Sequence, residues 1–272
     1  MLSPLWMVAA LTLHAGPEVA PPFALEQNVR VELWVTVPSG VLWLLSESVL
    51  KSALAPRSCS WCDRTLNPVD AWGRGIRAPT PHQGTPDTLS SLVDYGLLPL
   101  GLAGMEWLMV ARTHGGSAWS TDTLDILEAV LATSILNELV KDASGRARPF
   151  VRALPASERG LTPHPADNNV SFFSGHTSLA FSLVAATATV AELRGYHEWY
   201  WIWLAGLPVA AAVGVLRMAA DKHYLTDVVV GAAVGTGIGM GLPRLLHPRK
   251  LPGNVTLRLS AGPGMAALTG SF

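Results

Sequence analysis

The feature that most constrains this chain is a series of apolar stretches, each about as long as a membrane-crossing helix. The stretches cover roughly residues 34–54, 92–111, 122–140, 176–192, 199–216 and 224–243. A helix that crosses a bilayer needs about 20 predominantly apolar residues, and each stretch lies near that length. The pattern predicts an all-α fold, an up-and-down bundle of about six long transmembrane helices.

Composition favours a membrane location for this bundle. Apolar residues make up 49% of the 272 residues and charged residues only 14%, whereas an ordinary soluble domain carries about 25% charged residues. Glu47, Asp94 and Glu106 nevertheless fall inside or at the edge of the apolar stretches, and a charge at bilayer depth is costly unless it faces protein. A soluble helical bundle therefore stays open as the alternative.

Two stretches carry more specific information about packing. The segment WYWIWLAGLPVAAAVGVL, residues 199–216, has no charge and clusters its aromatic residues at one end, as an interfacial belt does. The last stretch spaces Gly231, Gly235 and Gly239 four residues apart. Because that spacing places the three glycines on one helix face, we expect another helix to pack closely there.

The length of the chain predicts a single helical domain over residues 30–246. Residues 1–20 resemble a signal or leader without a basic start, and residues 247–272 are expected to form a loosely ordered tail. The formal net charge of −1 gives no broad basic surface, so a nucleic-acid partner is not expected. Cys59 and Cys62 leave open a local disulfide, two free thiols, or a redox or metal pair.

Three polar clusters stand at the ends of the predicted helices. They are KDASGRARP, with Lys141 and Arg148; SFFSGHTS, with Ser174, Gly175 and His176; and LRMAADKHYLTD, with Arg217, His223 and Asp227. The connections between the last three helices are short. In an up-and-down bundle the clusters therefore lie on the same side, and we expect them to converge into one site.

The cations of these clusters suit a tetrahedral oxyanion. Arg148 and Arg217 carry planar guanidinium groups that form paired hydrogen bonds to such an anion, and Lys141 adds a third positive charge. The hydroxyl of Ser174 and the amide of Gly175 stand where a helix begins, and helix N-termini bind anions. The set predicts a phosphate-binding site.

Two histidines supply the reactive groups. His223 has Asp227 one helical turn later, which is expected to hold one ring nitrogen and leave the other as a nucleophilic lone pair. His223 would attack phosphorus and form a phosphohistidine. His176 would donate a proton to the leaving alkoxide and then activate water for the second step.

Together the motifs resemble the signature of the type 2 phosphatidic acid phosphatase and vanadium haloperoxidase superfamily. They are K-x6-RP at Lys141 to Pro149, SGH at Ser174 to His176, and R-x5-H-x3-D at Arg217 to Asp227. The resemblance covers about residues 90–245. It implies a helical, metal-independent phosphatase with a histidine nucleophile, and a site that faces the periplasm or an equivalent outer space in the membrane members.

The leading hypothesis is a multi-pass membrane enzyme that removes phosphate from a lipid phosphate or diphosphate while the lipid tail stays in the bilayer. A soluble exported acid phosphatase and a vanadate-dependent haloperoxidase share the same site chemistry and remain alternatives. A catalytically silent membrane binding or transport subunit is the non-enzymatic alternative. No cofactor, metal or obligate protein partner is expected.

Overall fold

The computed structural model describes residues 23–62, 65–114, 118–250, 256–262 and 265–271. Its α-helices are, in chain order, α1 (Val29–Ser48), α2 (Lys51–Leu54), α3 (Pro68–Gly73), α4 (Gly84–Leu92), α5 (Leu98–His114), α6 (Trp119–Ser144), α7 (Pro149–Ala153), α8 (Gly175–Arg194), α9 (Tyr200–Ala219) and α10 (Leu225–Leu246). A π-helical segment, Val93–Leu97, joins α4 to α5, and 3-10 turns cover Arg74–Ile76, Arg159–Leu161 and Pro165–Asp167. The predicted bundle of long helices is confirmed for the body of the chain.

The end of α6 differs from the predicted boundary, because the prediction did not take Gly145 into account as the residue that ends the helix. The third predicted stretch ends at residue 140, but α6 continues to Ser144. Gly145 ends the helix in the left-handed conformation, with φ at 54°, and its N–H donates to the carbonyl of Lys141. Because of this extra turn Lys141 lies within α6, so the helix fixes the backbone position from which its side chain extends.

Helix α8 lies at the centre of the bundle and packs against α6, α9 and α10. One buried apolar cluster surrounds Val184 and joins α8 to α5 and α9 through Val110 and Ile202. A second cluster on the other side joins Val190 of α8 to Ile126 of α6. Because α8 is buried along most of its length, its first turn is held in a fixed position at one end of the bundle.

The predicted close packing of the glycine face is confirmed. A Cβ atom at Gly235 would lie 2.3 Å from the carbonyl oxygen of Ser178, and one at Gly239 would lie 2.6 Å from that of Ser182. The equivalent distance at Gly231, to the carbonyl oxygen of Ser174, is 2.8 Å. The backbones of α10 and α8 therefore touch along this face, which side chains larger than hydrogen would prevent.

Three of the described helices, α1, α9 and α10, are long and apolar enough to cross a membrane by length and composition. Only 11% of the apolar window of α1 is buried, and large side chains such as Trp34 and Leu204 are exposed. These apolar outer faces support membrane localisation. The predicted span within α6 carries Asp125 and Glu128, whose carboxylates are buried inside the bundle.

The cysteine pair has a definite state in the structure. Cys59 and Cys62 form a disulfide, which resolves the alternatives left open by the sequence. Between them, the backbone N–H of Ser60 donates to the carbonyl of Gly145 at 3.0 Å. The disulfide loop is thereby attached to the end of α6, next to the clusters expected to form the site.

The described residues after α10 make two sets of backbone contacts. Residues up to 250 pack back on the N-terminal segment, where the N–H of Lys250 donates to the carbonyl of Ala24 at 2.7 Å. Within residues 247–272, for which the sequence predicts a loosely ordered tail, strands β1 (Thr256–Gly262) and β2 (Met265–Ser271) pair antiparallel. The alternation of apolar Leu257 and Leu259 with polar neighbours is a strand pattern. The leader predicted over residues 1–20 lies outside the described residues.

The contact between α8 and α10 predicts the effect of two alanine substitutions. Gly235→Ala places a methyl group against the Ser178 carbonyl, and overpacking of this kind costs about 1–3 kcal/mol of stability. Gly237→Ala on the same helix meets nothing within 4 Å and serves as the matched control. Thermal unfolding in detergent should show a lower Tm for Gly235→Ala and an unchanged or higher Tm for Gly237→Ala. Equal midpoints for the two variants would contradict the packing described here.

Candidate active site

The structure brings most of the predicted site residues to one end of the bundle, around a cavity of about 80 Å³. The predicted residues that line it are Lys141, Arg148, Gly175, His176, Arg217 and His223. They come from the end of α6, the start of α7, the start of α8, the end of α9 and the turn before α10. As expected for an up-and-down topology, the short connections between the last helices bring the three clusters to the same end of the bundle.

Backbone hydrogen bonds fix the positions of these segments relative to one another. The N–H of Ser174, just before α8, donates to the carbonyl of Asp227 on α10 at 3.0 Å. The N–H of Arg148 donates to the carbonyl of Asn168 at 2.8 Å, which fixes the turn after α6 against the loop before α8. The functional side chains are therefore anchored by main chain that is itself paired.

Lys141 is buried and lies between two carboxylates. Its Nζ is 2.7 Å from Oε1 of Glu138 and 3.3 Å from Oε1 of Glu47. Gly175 allows this approach, since a Cβ there would lie 3.0 Å from Nζ and 2.7 Å from the side-chain oxygen of Asn137. The glycine of the SGH motif therefore makes room for the lysine beside the first turn of α8.

Arg148 and Arg217 each keep one hydrogen-bond donor unused. Both side chains are buried, and among the described residues the Nε of each has no partner. Their other nitrogens make contacts: Nη1 of Arg217 pairs with Asp87, and Nη2 of Arg148 lies 3.8 Å from Oδ1 of Asp167. A buried unsatisfied N–H is costly, and an oxyanion in the cavity would satisfy both.

His223 is held by the main chain. Its Nδ1 lies 2.8 Å from the carbonyl oxygen of Ser171, and because a carbonyl only accepts, Nδ1 carries the proton. The Nε2 atom then carries the lone pair. Burial, with the charges of Arg148 and Arg217 nearby, holds the pKa of His223 well below its usual range. The imidazole is therefore neutral, the form that a nucleophile requires.

The expected direct hydrogen bond between Asp227 and His223 is not formed. Oδ2 of Asp227 lies 3.7 Å from Nδ1 of His223, beyond hydrogen-bond distance. The carboxylate instead accepts from the hydroxyl of Ser171 at 2.6 Å and from the N–H of Tyr224 at 2.9 Å, which closes a capping box on α10. Asp227 thus positions Ser171, and Ser171 holds His223 through its carbonyl.

His176 contacts the helix pair formed by α4 and the π-helical segment. Its Nε2 is 3.2 Å from the hydroxyl of Ser91, and its ring meets the ring of Tyr95 edge-on at 5.0 Å between centroids. Sequence analysis did not identify Ser91 or Tyr95, since they belong to no motif and precede the histidine by a long stretch of chain.

Ser174 has a different position from the one predicted. It is fully buried, does not line the cavity, and accepts from the N–H and the hydroxyl of Thr177 at 3.4 and 2.9 Å. Its side chain caps α8 because serine is a favoured residue at that position. The structure therefore gives Ser174 a capping contact rather than a place in the cavity wall.

Arg146 lies in the KDASGRARP cluster but is not among the predicted site residues, and the structure gives it a buried position. The side chain is buried between the rings of Trp61 and Tyr224, at 4.5 and 4.3 Å from their centroids. It pairs with Asp227 and, at 2.6 Å, with Asp70. Burial raises the pKa of Asp70, but hydrogen bonds from Thr226 and Arg146 outweigh that effect and hold the pKa below its ordinary value. The carboxylate is therefore charged, as the ion pair requires.

Comparison with known proteins identifies a family whose model covers the residues of the candidate site. Residues 122–250 match the family model described as the PAP2 superfamily. The lipid A 1-phosphatase of Porphyromonas gingivalis is 38% identical over 103 residues, which are 37% of this chain and 22% of that protein. Lipid phosphate phosphatase 2 of Arabidopsis thaliana is 32% identical over 133 residues, which are 41% of this chain and 46% of that protein. The chain thus spans less than half the length of either relative.

A solved structure is also similar to this one. It is described as the crystal structure of the first transmembrane PAP2 type phosphatidylglycerolphosphate phosphatase from Bacillus subtilis, and it aligns with 76% of this chain and 92% of its own at a TM-score of 0.44 and 17% identity. The family match begins at residue 122, later than the resemblance had implied, and includes every residue from Lys141 to Asp227. The resemblance inferred from the three motifs is thereby confirmed, since residues 122–250 of this chain match the PAP2 superfamily.

Proposed function

We propose that the protein is a membrane-embedded phosphatase that hydrolyses a lipid phosphate or diphosphate through a phosphohistidine on His223. One observation carries the proposal. Arg148 and Arg217, whose buried Nε donors have no partner among the described residues, line the same cavity as His176 and the neutral His223. A site with unsatisfied cationic donors next to a neutral imidazole suits a reacting phosphoryl group.

In the first step the phosphoryl oxygens accept hydrogen bonds from Arg148, Arg217 and Lys141, and from the free amides at the start of α8. The Nε2 lone pair of His223 attacks phosphorus while the bond from phosphorus to the leaving oxygen breaks. His176 donates its proton to that oxygen, and the negative substrate favours the protonated imidazole that this requires. The alcohol leaves and His223 carries the phosphoryl group.

In the second step water attacks phosphorus and gives a proton to His176. The bond between Nε2 and phosphorus breaks, inorganic phosphate leaves, and both histidines return to their starting states. Throughout, Nδ1 of His223 keeps its proton and donates it in a hydrogen bond to the Ser171 carbonyl, which stabilises the positive charge that the ring gains as it attacks. Asp227 acts as a positioning residue through Ser171.

A lipid substrate is favoured by the position of the cavity. It lies at the catalytic end of a bundle whose helices α1, α9 and α10 have exposed apolar faces, so an acyl or prenyl tail would remain in the bilayer while its phosphate enters. Both curated relatives described above are named as phosphatases of lipids. A small water-soluble ester would make no use of these faces.

The disulfide supports an outward orientation for a multi-pass bundle. Disulfides persist in oxidising compartments such as the periplasm, and the one between Cys59 and Cys62 lies at the catalytic end. The basic residues at that end run against the positive-inside tendency, but they serve as internal partners. Arg74 lies 3.2 Å from the buried carboxylate of Asp221, and Lys51 lies 2.8 Å from Asp167. We infer that the cavity faces the periplasm or an equivalent outer space.

The proposal is tested by phosphate release from a panel of substrates. Purified wild type should hydrolyse at least one of phosphatidic acid, a prenyl diphosphate and phosphatidylglycerol phosphate in mixed micelles faster than a soluble aryl phosphate. His223→Ala should lose at least about a thousandfold, because the covalent route is removed. His197→Ala, an exposed histidine far from the cavity, is the matched control. Unchanged release by His223→Ala would refute the mechanism, and preference for the aryl phosphate would favour the soluble acid phosphatase.

A second test concerns the carboxylate that competes with phosphate for Lys141. Glu47→Gln removes the charge that lies 3.3 Å from Nζ, so that more of the lysine's field acts on a bound anion. We expect orthovanadate to inhibit this variant several-fold more tightly than wild type. Glu192→Gln breaks a surface pair with Arg244 and serves as the control, with unchanged inhibition. Weaker inhibition of Glu47→Gln would show that Glu47 supports the anion site instead of opposing it.

A further inference from the structure

A second cluster of ionisable side chains lies at the end of the bundle opposite the candidate active site. It consists of Glu32 in the first turn of α1, Asp125 and Glu128 in the first half of α6, and His247 directly after α10. Helix α6 begins near this cluster and ends near Lys141, so the length of the helix separates the two groups. The reaction proposed above uses none of these four residues.

The carboxylates of this cluster carry more negative charge than the side chains that pair with them in the described part of the chain can neutralise. Glu32, Asp125 and Glu128 are all buried, and the ion pairs that the structure gives them are all with His247. Three carboxylates thus share one imidazole. Buried carboxylates without matching positive charge are strongly unfavourable, so the arrangement requires a further positive charge.

The hydrogen bonds of His247 show where that charge belongs. Its Nδ1 lies 3.2 Å from the backbone carbonyl oxygen of Glu26, which only accepts, so Nδ1 carries a proton. In the neutral imidazole Nε2 then presents a lone pair, 3.0 Å from Oε2 of Glu128 and 3.5 Å from Oδ1 of Asp125. A lone pair facing two carboxylate oxygens is repulsive, and the repulsion is relieved either by a proton on Nε2 that is donated to Glu128 or by a metal ion between these atoms. Histidines that bind metals are commonly fixed in this way, by a carbonyl on the other ring nitrogen.

Two carboxylate oxygens of the cluster are not engaged in hydrogen bonds. Within the described part of the chain, Oε2 of Glu32 and Oδ1 of Asp125 have no hydrogen-bond donor, although both residues are at most 4% exposed. Their other oxygens are engaged, with the N–H of Asn28 at 2.7 Å and the amide of Gln27 at 2.6 Å. Each carboxylate is therefore oriented by one oxygen and leaves the other free to bind.

A cavity gives access to the cluster. It measures about 620 Å³, and Glu32, Glu128 and His247 are among the residues that line it. Donor atoms of Glu32, Asp125 and His247 all lie within 4.8 Å of one another, a spacing that one bound ion can span. The cluster thus combines oriented ligands with a route from solvent.

We propose that Glu32, Asp125 and His247, with Glu128 as a further ligand, bind one divalent transition-metal ion of the zinc class. One imidazole nitrogen and several carboxylate oxygens suit Zn²⁺, whereas Mg²⁺ and Ca²⁺ take oxygen ligands and retain water. The ion would neutralise the excess carboxylate charge and use the lone pair of His247.

The bound ion would link the start of α1, and with it the N-terminal segment before α1, to the chain that follows α10. The N-terminal segment already pairs with the chain after α10, where the N–H of Glu26 donates to the carbonyl of Pro248 at 2.9 Å. Ligands from α1, α6 and His247 would join the same segments through one centre. The site is therefore structural, and it lies apart from the phosphate chemistry at the other end.

The test uses the full chain purified in detergent, without an affinity tag, treated with EDTA and then supplied with Zn²⁺. Metal analysis after desalting should find about one zinc per chain, and zinc should raise the Tm. Asp125→Asn and His247→Gln should each bind at least tenfold more weakly and lose the shift in Tm. His223→Ala, the other buried histidine, should bind zinc as wild type does.

The outcomes separate this proposal from the proposed phosphatase activity. Loss of zinc in His223→Ala with retention in His247→Gln would place the metal at the catalytic end and overturn the inference. Absence of zinc binding by wild type would overturn it as well and assign the missing positive charge to a shared proton. If the variants fail to fold, X-ray absorption of the zinc-loaded wild type decides the matter. One imidazole with oxygen ligands is expected, and sulfur or two imidazoles would contradict it.

Discussion

The contact between the backbones of α8 and α10 underlies the geometry of the rest of the molecule. At Gly235 there is no room for a side chain beside the Ser178 carbonyl, so the two helices are held as close as their main chains allow. At the catalytic end the contact continues as a hydrogen bond from Ser174 to Asp227. This contact brings the segment that carries His223 against the first turn of α8, which carries His176. The two histidines of the proposed reaction are thus positioned by main-chain packing, which is more rigid than the conformations of long side chains.

Buried charge is arranged differently at the two ends of the bundle. At the catalytic end Arg146 neutralises Asp227, which orients Ser171 and through its carbonyl His223, while Arg148 and Arg217 retain unused donors. That end is built for an anion. At the opposite end the excess lies in carboxylates around one imidazole, which suits a cation. Both imbalances are costly within a protein unless a ligand or an ion completes them, so each indicates what its site binds.

The sequence predicted the features that depend on local pattern. Apolar length gave the helices, the spacing of Gly231, Gly235 and Gly239 gave the close contact, and chain direction brought the three clusters to one end. It did not predict pairings between distant segments. Arg146 was not among the predicted site residues because its partner Asp70 lies on α3, in a stretch with no motif. The i+4 spacing of Asp227 suggested a contact that its capping role at α10 replaces. Which of several acceptors a donor reaches depends on tertiary packing, and spacing alone does not determine it.

The central claim is that Nε2 of His223 attacks phosphorus, and trapping the intermediate tests it most directly. Wild type mixed with a lipid substrate labelled in its phosphate, and quenched in alkali during the first turnover, should carry label on the peptide that contains His223. The bond should be stable in alkali and labile in acid, and His223→Ala should carry no label. Turnover by wild type without labelled protein at any quench time, or label on another residue, would contradict the account.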